Sequence, residues 1–476
     1  SSIGQGWNSY FAGTFDGQGH TISNLKITKA SYGKYGLFGY SWGTTVRNVI
    51  LDASCSVVAS KLQENGNDVI NDAIALKKMK IKMNGGETDY VDAGGIFGFC
   101  EGFHAECNIE SCINMGSVEL SAITQAGTYD GINGRVGGIA GYVYAYMFPS
   151  GVKNCVNYGS VTFSGETDRS SIGGVLGTIA GRDYPLNYGR IENCLNYGTL
   201  THSGVSRFAT SIGGVVGGNS YGIEVIDNVA NFGFISAYKQ STPRDDRIGS
   251  LVGYLWKITL THSYWADNIK YNPCGFINSA VVSECSNFSS TTLTLDNTVS
   301  VGKYKGRSLI DALNAGAEVD PEANHANWLL NRGNKAVTFR INNVRTVFKA
   351  NSQLILMPDL ANEGSTTLFN GWFTDEACTA KLTDFEVKAD TVLYGQWGEA
   401  AEKHTITFDT RGGTHVAPIT AKVGAVVELP KGITKGDCEL GWWESDAGVI
   451  AKWSYTVPAK DVTLHAVWFC TKLRSA

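Results

Sequence analysis

The sequence has little charge, little proline and no long apolar run. Charged residues make up 17% of its 476 positions and nine are proline, where a typical globular chain has roughly 25% and 5%. No apolar run approaches the roughly 18 residues that carry a helix across a bilayer, so no transmembrane segment is expected. The 39 basic and 44 acidic side chains leave a net charge of −5, and nucleic acid is not an expected partner. Eleven cysteines form no C-x-x-C pair and no zinc-like quartet, so neither a disulfide-dense scaffold nor a structural metal is expected. Also missing are a G-x-S-x-G elbow, a phosphate-cradling glycine loop and any cofactor motif. The opening residues SSIGQGW do not read as a signal peptide.

Glycine, at 57 residues, is what the chain has in excess. Beside abundant Tyr, Thr, Val and Ile it marks short strands joined by tight turns. A hexamer recurs through the first half: YGLFGY (35–40), GGIFGF (94–99), GGIAGY (137–142), GGVLGT (173–178), GGVVGG (213–218) and GSLVGY (249–254). From the second copy onward the spacings are 43, 36, 40 and 36 residues, while the first gap of 59 contains an insertion. Helical repeats are excluded by the glycine and β-branched content and by the lack of a 3.6-residue period. A propeller blade would need four strands and its own signature. The pattern predicts an all-β solenoid of about six coils over residues 1–285, its length variation confined to loops.

A second phrase follows the hexamer: SCINMGSV (111–118), NCVNYGSV (154–161), NCLNYGTL (193–200) and NVANFGFI (228–235). Stacked coils turn it into columns. Cys112, Cys155, Cys194 and Val229 are expected as small apolar filler, the thiols reduced and buried. Asn114, Asn157, Asn196 and Asn231 are expected as a ladder of amides bonding coil to coil. Gly116, Gly159, Gly198 and Gly233 are natural sites for positive φ. Tyr158, Tyr197 and Phe232 form either an outward row able to stack on a sugar or partner protein, or a row covered by a neighbouring loop. They are the candidate contact residues.

The stretch FDGQGHTISNL (15–25) places Asp16 and His20 around two glycines. The expected structure is a β-turn with His20 opening the next strand, rather than an acid/base pair. Polysaccharide-degrading solenoids need carboxylates or basic residues clustered on neighbouring coils. Here Glu166, Asp168, Arg169, Arg182 and Asp183 fall in the variable stretches and do not recur in a column. No catalytic, cofactor or metal residue is assigned, and the chain is not expected to be an enzyme.

GTFDGQGHTISNL, the glycine hexamers and NCVNYGSV resemble the GLUG-motif repeats of large bacterial surface proteins, IgA-protease-like ones among them, and of some protist surface proteins. This resemblance, over about residues 10–285, implies a right-handed parallel β-helix exposed on a cell surface. The protease of that family is a separate zinc domain with an H-E-x-x-H motif. None of the eight histidines here precedes a glutamate.

Residues 286–341 are expected to cap and link. SLIDALNAG (308–316) reads as a short helix with Ser308 as N-cap and Gly316 at its end. Beyond it, FNGWFTDEACTAKLTDFEVKADTVLYGQW (369–397) matches ELGWWESDAGVIAKWSYTVPAKDVTLHAVW (439–468). Both resemble Listeria–Bacteroides repeats of the internalin B-repeat type, implying two small β-grasp-like modules at 342–398 and 399–476. Trp372, Trp397, Trp442 and Trp468 are expected as core anchors. Cys438 with Cys470, and Cys274 with Cys285, are candidate disulfide pairs.

These features imply a non-enzymatic extracellular protein at a cell surface, an adhesin or stalk whose partner is a glycan or protein on a host or neighbouring cell. One alternative is a structural subunit of an extracellular filament or surface layer, its copies joined end to end. A polysaccharide-degrading enzyme comes third.

Overall fold

The computed structural model describes residues 2–4, 8–29, 33–61, 89–102, 105–122, 132–181, 189–219, 223–237, 245–288, 299–300, 304–317, 327–332, 337–341, 344–348, 354–356, 367–383, 386–399, 403–446, 450–451 and 453–470. The chain divides into two compact units, Ser1–Gly316 and Ala317–Ala476. Among the described residues strands dominate and one helix, Leu309–Ala317, is present.

In the first unit one turn of chain runs through Ile132–Gly137, Ala140–Ala145, Ser150–Lys153, Val156–Asn157 and the first part of Val161–Gly173, whose last part pairs with Ile132–Gly137 and opens the next turn. Each strand pairs in parallel with its equivalents one repeat earlier and later. Ile113, Val156, Leu195, Ala230 and Tyr264 stand in one such row. Parallel partners need a long return connection, and here the return is the rest of the coil. The shortest of the sheets holds eight strands, from Thr21–Ile22 to Ser286–Phe288, so the stack exceeds the six coils expected. The glycine hexamer marks the inner six, and a rung without a full copy lies at each end.

Inward side chains close an apolar core. Val46, Ile109, Val152, Ile191, Ile226 and Leu260 form one column, each at most 1% exposed. Burying a side chain of this size contributes about 1.5–3 kcal/mol, and the column repeats that gain at every coil. Cys100 and Cys107 are disulfide-bonded within this core, a pairing the sequence reading did not anticipate. Cys274 and Cys285, the candidate pair, are both free thiols.

The coil corners turn otherwise than expected. Gly116, Gly159, Gly198 and Gly233 do not take positive φ. The left-handed residue precedes the cysteine column, at Ser111, Asn154, Asn193 and Asn228 with φ of 51°, 56°, 50° and 51°. Asparagine tolerates that region better than most residues. Glycine is required at 159 for a different reason: any Cβ there would collide with the Gly116 carbonyl one coil away.

The helix begins as expected, with the Asp311 amide donating to Ser308 Oγ at 3.2 Å. Gly316, however, lies inside it, and its missing side chain makes room for the Asn228 amide. Asn228 Nδ2 in turn donates to the Leu313 carbonyl at 2.9 Å.

The second unit contains two sheets of one design. In the first, Val337–Ile341 runs parallel to Thr391–Glu399, with Val344–Phe348 and Thr367–Phe373 antiparallel on the flanks. In the second, Lys403–Asp409 and Val462–Cys470 form the parallel centre, flanked by Ile419–Lys422 and Cys438–Ser445. Strand Val337–Ile341 therefore belongs to the first repeat, not to a linker ending at 341. Its alternating KAVTFRI corresponds to HTITFDT of the second copy. Cys438 and Cys470 face each other across strands and are bridged.

Of the expected tryptophan anchors, Trp372 and Trp442 are buried and Trp468 is half-buried, while the side chain of Trp397 lies outside the described residues. Trp443 is the tryptophan inside the core cluster, beside Ile406 and Leu464. A register shift between Leu440 and Trp442 interrupts the alternation of the strand just before the two tryptophans, and both Trp442 and Trp443 are buried.

Candidate functional site

The columns read from the second phrase lie inside the stack. Cys112, Cys155, Cys194 and Val229 have no exposed surface. Burial pushes the Cys112 and Cys155 thiols well above the usual range, which leaves them protonated and unreactive. Asn114 Nδ2 donates to Asn157 Oδ1, Asn157 to Asn196 and Asn196 to Asn231, each at 2.9 Å. A second ladder runs beside it in the opposite sense. Asn228 Nδ2 donates to Asn193 Oδ1 at 2.9 Å, and Asn193 to Asn154 at 2.7 Å. Its signal in the sequence is the Asn before the Cys or Val in three of the four phrases, with Ser111 in the first.

Tyr158, Tyr197 and Phe232 do stack, with ring centroids 4.9 and 4.2 Å apart, and Phe288 continues the row at 5.0 Å. Phe232 is 4% exposed, and enclosure raises the Tyr197 hydroxyl well above its ordinary pKa. Of the two alternatives, the covered row fits Phe232, while Tyr158 and Tyr197 are half-buried.

Asp16 is held by its turn. It accepts from the Gln18 amide at 2.8 Å, from Asn48 Nδ2 at 3.0 Å and from Arg47 Nε at 3.1 Å, while His20 is exposed. Among the described residues no group of His, Cys, Asp and Glu is arranged to hold a metal ion.

A second aromatic column lies on another face, buried at Tyr40 and Phe99, half-buried at Tyr142 and Tyr254 and exposed at Phe276. Strand register aligns Tyr40, Phe99, Tyr142, Thr178, Gly218, Tyr254 and Phe276 in one outward column. Tyr40 and Phe99 stack at 4.9 Å, Phe99 and Tyr142 meet at 5.2 Å, and Tyr254 and Phe276 stack at 5.6 Å. Between Tyr142 and Tyr254 the rings are missing for two coils. The adjoining column reads Lys34, Asp92, Arg135, Ser171, Ser211 and Arg247, so it too falls to small hydroxyl side chains at the same two coils. The result is a cleft of about 720 Å³, within the range of small-ligand sites. Its end walls stand three coil steps apart, roughly 14 Å at ~4.8 Å per step.

Cations sit on these rings. The Arg135 guanidinium lies 3.5 Å from the Tyr142 centroid and that of Arg247 lies 4.2 Å from Tyr254. Arg135 is fixed from behind, donating Nε and Nη2 to the two oxygens of Asp92 at 2.6 and 3.2 Å. Asp92 is fully buried and also takes the Lys34 ammonium. Burial lowers the Lys34 pKa against the pull of Asp92. Nearby, burial raises the pKa of Glu101, which accepts from the Tyr40 hydroxyl at 3.0 Å.

Arg169 enters the cleft from the long strand Val161–Gly173. Glu166, Asp168 and Arg169, expected in a variable loop, all belong to this strand; Arg182 and Asp183 lie outside the described residues. Phe208, 55% exposed, stands at the lip. The pairing steps from Thr167↔Ser206 to Arg169↔Ala209, a bulge that re-aims the side chains beside it.

Comparison with known proteins gives three results. The Listeria-Bacteroides repeat domain family matches residues 333–396 and 404–467. Two Evansella cellulosilytica proteins are similar to parts of the chain. One, named as a membrane protein, is 33% identical over 106 residues, covering 21% of this chain and 15% of that one. The other, named as a Gly-rich membrane protein, is 27% identical over 156 residues, covering 31% and 18%. The chain thus spans under a fifth of either relative. A crystal structure of an immunoglobulin A1 protease-like protein from Bacteroides ovatus aligns over 60% of this chain and 72% of its own, with a TM-score of 0.38 and 17% identity.

Proposed function

We propose that this chain is part of a non-enzymatic extracellular protein, an adhesin or stalk at a cell surface. Its first unit is a right-handed parallel β-helix of GLUG-type coils that offers the cleft between Tyr142 and Tyr254 to a glycan. Two β-grasp-like repeats follow. The handedness is supported by the near-universal right-handed sense of parallel crossovers. The location is supported by the Listeria–Bacteroides repeats, by relatives named as membrane proteins and by two disulfides, Cys100–Cys107 and Cys438–Cys470, which persist in oxidising compartments.

The observation that carries the binding role is the interrupted aromatic column. A tyrosine carrying an arginine closes each end, and the hydroxyls of Ser171, Thr178 and Ser211 lie between them, polar partners spaced along the cleft for a saccharide's hydroxyl groups. The test is a glycan array with the full chain and a Tyr142→Ala/Tyr254→Ala variant whose fold is checked by circular dichroism. The intact chain is expected to bind and the variant to lose binding at least tenfold. Undiminished binding by the folded variant would remove the cleft from the proposal.

A further inference from the structure

We infer that the cleft selects an acidic saccharide, one bearing carboxylate or sulfate groups, lying along the stacking axis. This rests on the reading of the cleft as a glycan site and adds the charge of the ligand. The first observation is composition: among the described residues the lining holds Arg135, Arg169 and Arg247 and no carboxylate. This happens on a chain whose net charge is −5. Guanidinium groups bind carboxylate or sulfate oxygens through paired donors; Arg135 gives its Nε and Nη2 to Asp92, so Arg169 and Arg247 carry that pairing, Arg247 from its place on the Tyr254 ring that closes the cleft. Arg135 is further pre-positioned by buried Asp92, which limits the freedom lost on binding.

The second observation concerns Gly218. Most glycines of the stack are imposed by backbone contact; at its neighbour Gly217, a Cβ would meet the Gly177 carbonyl and the Ile172 amide at 2.5 Å. At Gly218 a Cβ would meet only Tyr254 Cβ at 3.4 Å, Ser171 Oγ at 3.6 Å and Ser211 Cβ at 3.7 Å, which are ordinary contacts. Packing does not demand the gap at this position, and the outward column carries a ring two coils before it, at Tyr142, and one coil after it, at Tyr254. Recognition of a chain laid across the two bare coils explains the gap. Nucleic acid fits less well, because three arginines on an acidic protein make few phosphate contacts.

The test is calorimetry on the full chain with four probes: oligogalacturonate, a sulfated oligosaccharide, a neutral oligogalactan and inorganic polyphosphate. At least one acidic saccharide is expected to bind, with the neutral chain at least about tenfold weaker. Arg169→Gln/Arg247→Gln should remove that preference. Thr178→Tyr/Gly218→Tyr restores the ring carried by neighbouring coils and should abolish binding with the amide protection of the stack unchanged. Gly218→Ala is the milder variant if the double one loses that protection, and should weaken binding several-fold. Equal binding of neutral and acidic chains would overturn the charge inference and leave the glycan reading standing. Polyphosphate binding as well as the saccharides would overturn the saccharide in favour of a general anion site. Binding of no saccharide at all would overturn the glycan reading itself.

Discussion

The amide ladder can be tested by changing a single atom type. Asn157 has no exposed surface, and its Nδ2 donates to the Gly159 carbonyl at 2.8 Å and to Asn196 Oδ1 at 2.9 Å. Asn157→Asp keeps the shape and places an oxygen against those two acceptors. The protonated acid can satisfy one of them, so at low pH the cost is one lost buried hydrogen bond, about 1–3 kcal/mol. The ionised acid satisfies neither and is desolvated as well. Its carboxyl group therefore has a folded-state pKa raised above the unfolded value of about 3.9. Such a group supports the fold fully below the unfolded pKa and loses that support as pH rises towards the folded pKa. The variant should lose about 1.4 kcal/mol per pH unit above about pH 4, reaching about 4 kcal/mol further by pH 7 if the folded pKa lies that high. Asn157→Leu removes the same bonds without a titrating group, and its cost should be flat with pH.

Two units in one chain blur a single melting curve, so the measurement is hydrogen exchange across this pH range. The informative amides are Tyr158 and Tyr197, each donating to a ladder asparagine's carbonyl at 2.7 Å. Protection there should fall with rising pH in Asn157→Asp relative to the parent, once intrinsic exchange is corrected, and not in Asn157→Leu. Equal protection of parent and Asn157→Asp at pH 7 would show that the amide is not locked between two acceptors.

Cys155→Val should change stability by less than about 1.5 kcal/mol, because Val229 already fills that column and the swap keeps apolar volume. Alkylation read by mass spectrometry should leave Cys112 and Cys155 unmodified in the folded chain, since burial raises both thiols well above their ordinary pKa. The bridges span 32 residues at Cys438–Cys470 and 7 at Cys100–Cys107. Loop-closure entropy then gives about 4 and about 2 kcal/mol for their removal, to be read as the loss in unfolding free energy of Cys438→Ala/Cys470→Ala and Cys100→Ala/Cys107→Ala.

The stack was legible because its inner columns admit few residues. A carbonyl one coil away forbids any Cβ at Gly159, and an amide bonded on both sides leaves little substitute for Asn157. Such positions repeat in one chain and announce the coil. The end rungs were hidden because no full hexamer marks them, and Val337–Ile341 because its parallel partner lies more than fifty residues further on and no Gly-Gly turn marks its hairpin with Val344–Phe348. The Cys100–Cys107 bridge could not be read, since a spacing of seven has a disulfide reading only when the coil's path is known. Whether Phe232 faces outward or is covered was not legible, because its sequence position does not reveal that its ring packs against Phe288.

The cleft escaped sequence reading for the opposite reason. Outward columns are free to vary, so a break in one looks like noise until the register is known. Thr178 and Gly218 are unremarkable in GGVLGT and GGVVGG; only alignment with Tyr142 and Tyr254 makes them absences. Arg169 likewise stands opposite Asn133 and Ala209 and belongs to no recurring charge. A search for columns that repeat is therefore a search for structure in such a chain. Ligand chemistry is to be sought where an outward column stops repeating and no backbone contact accounts for the change.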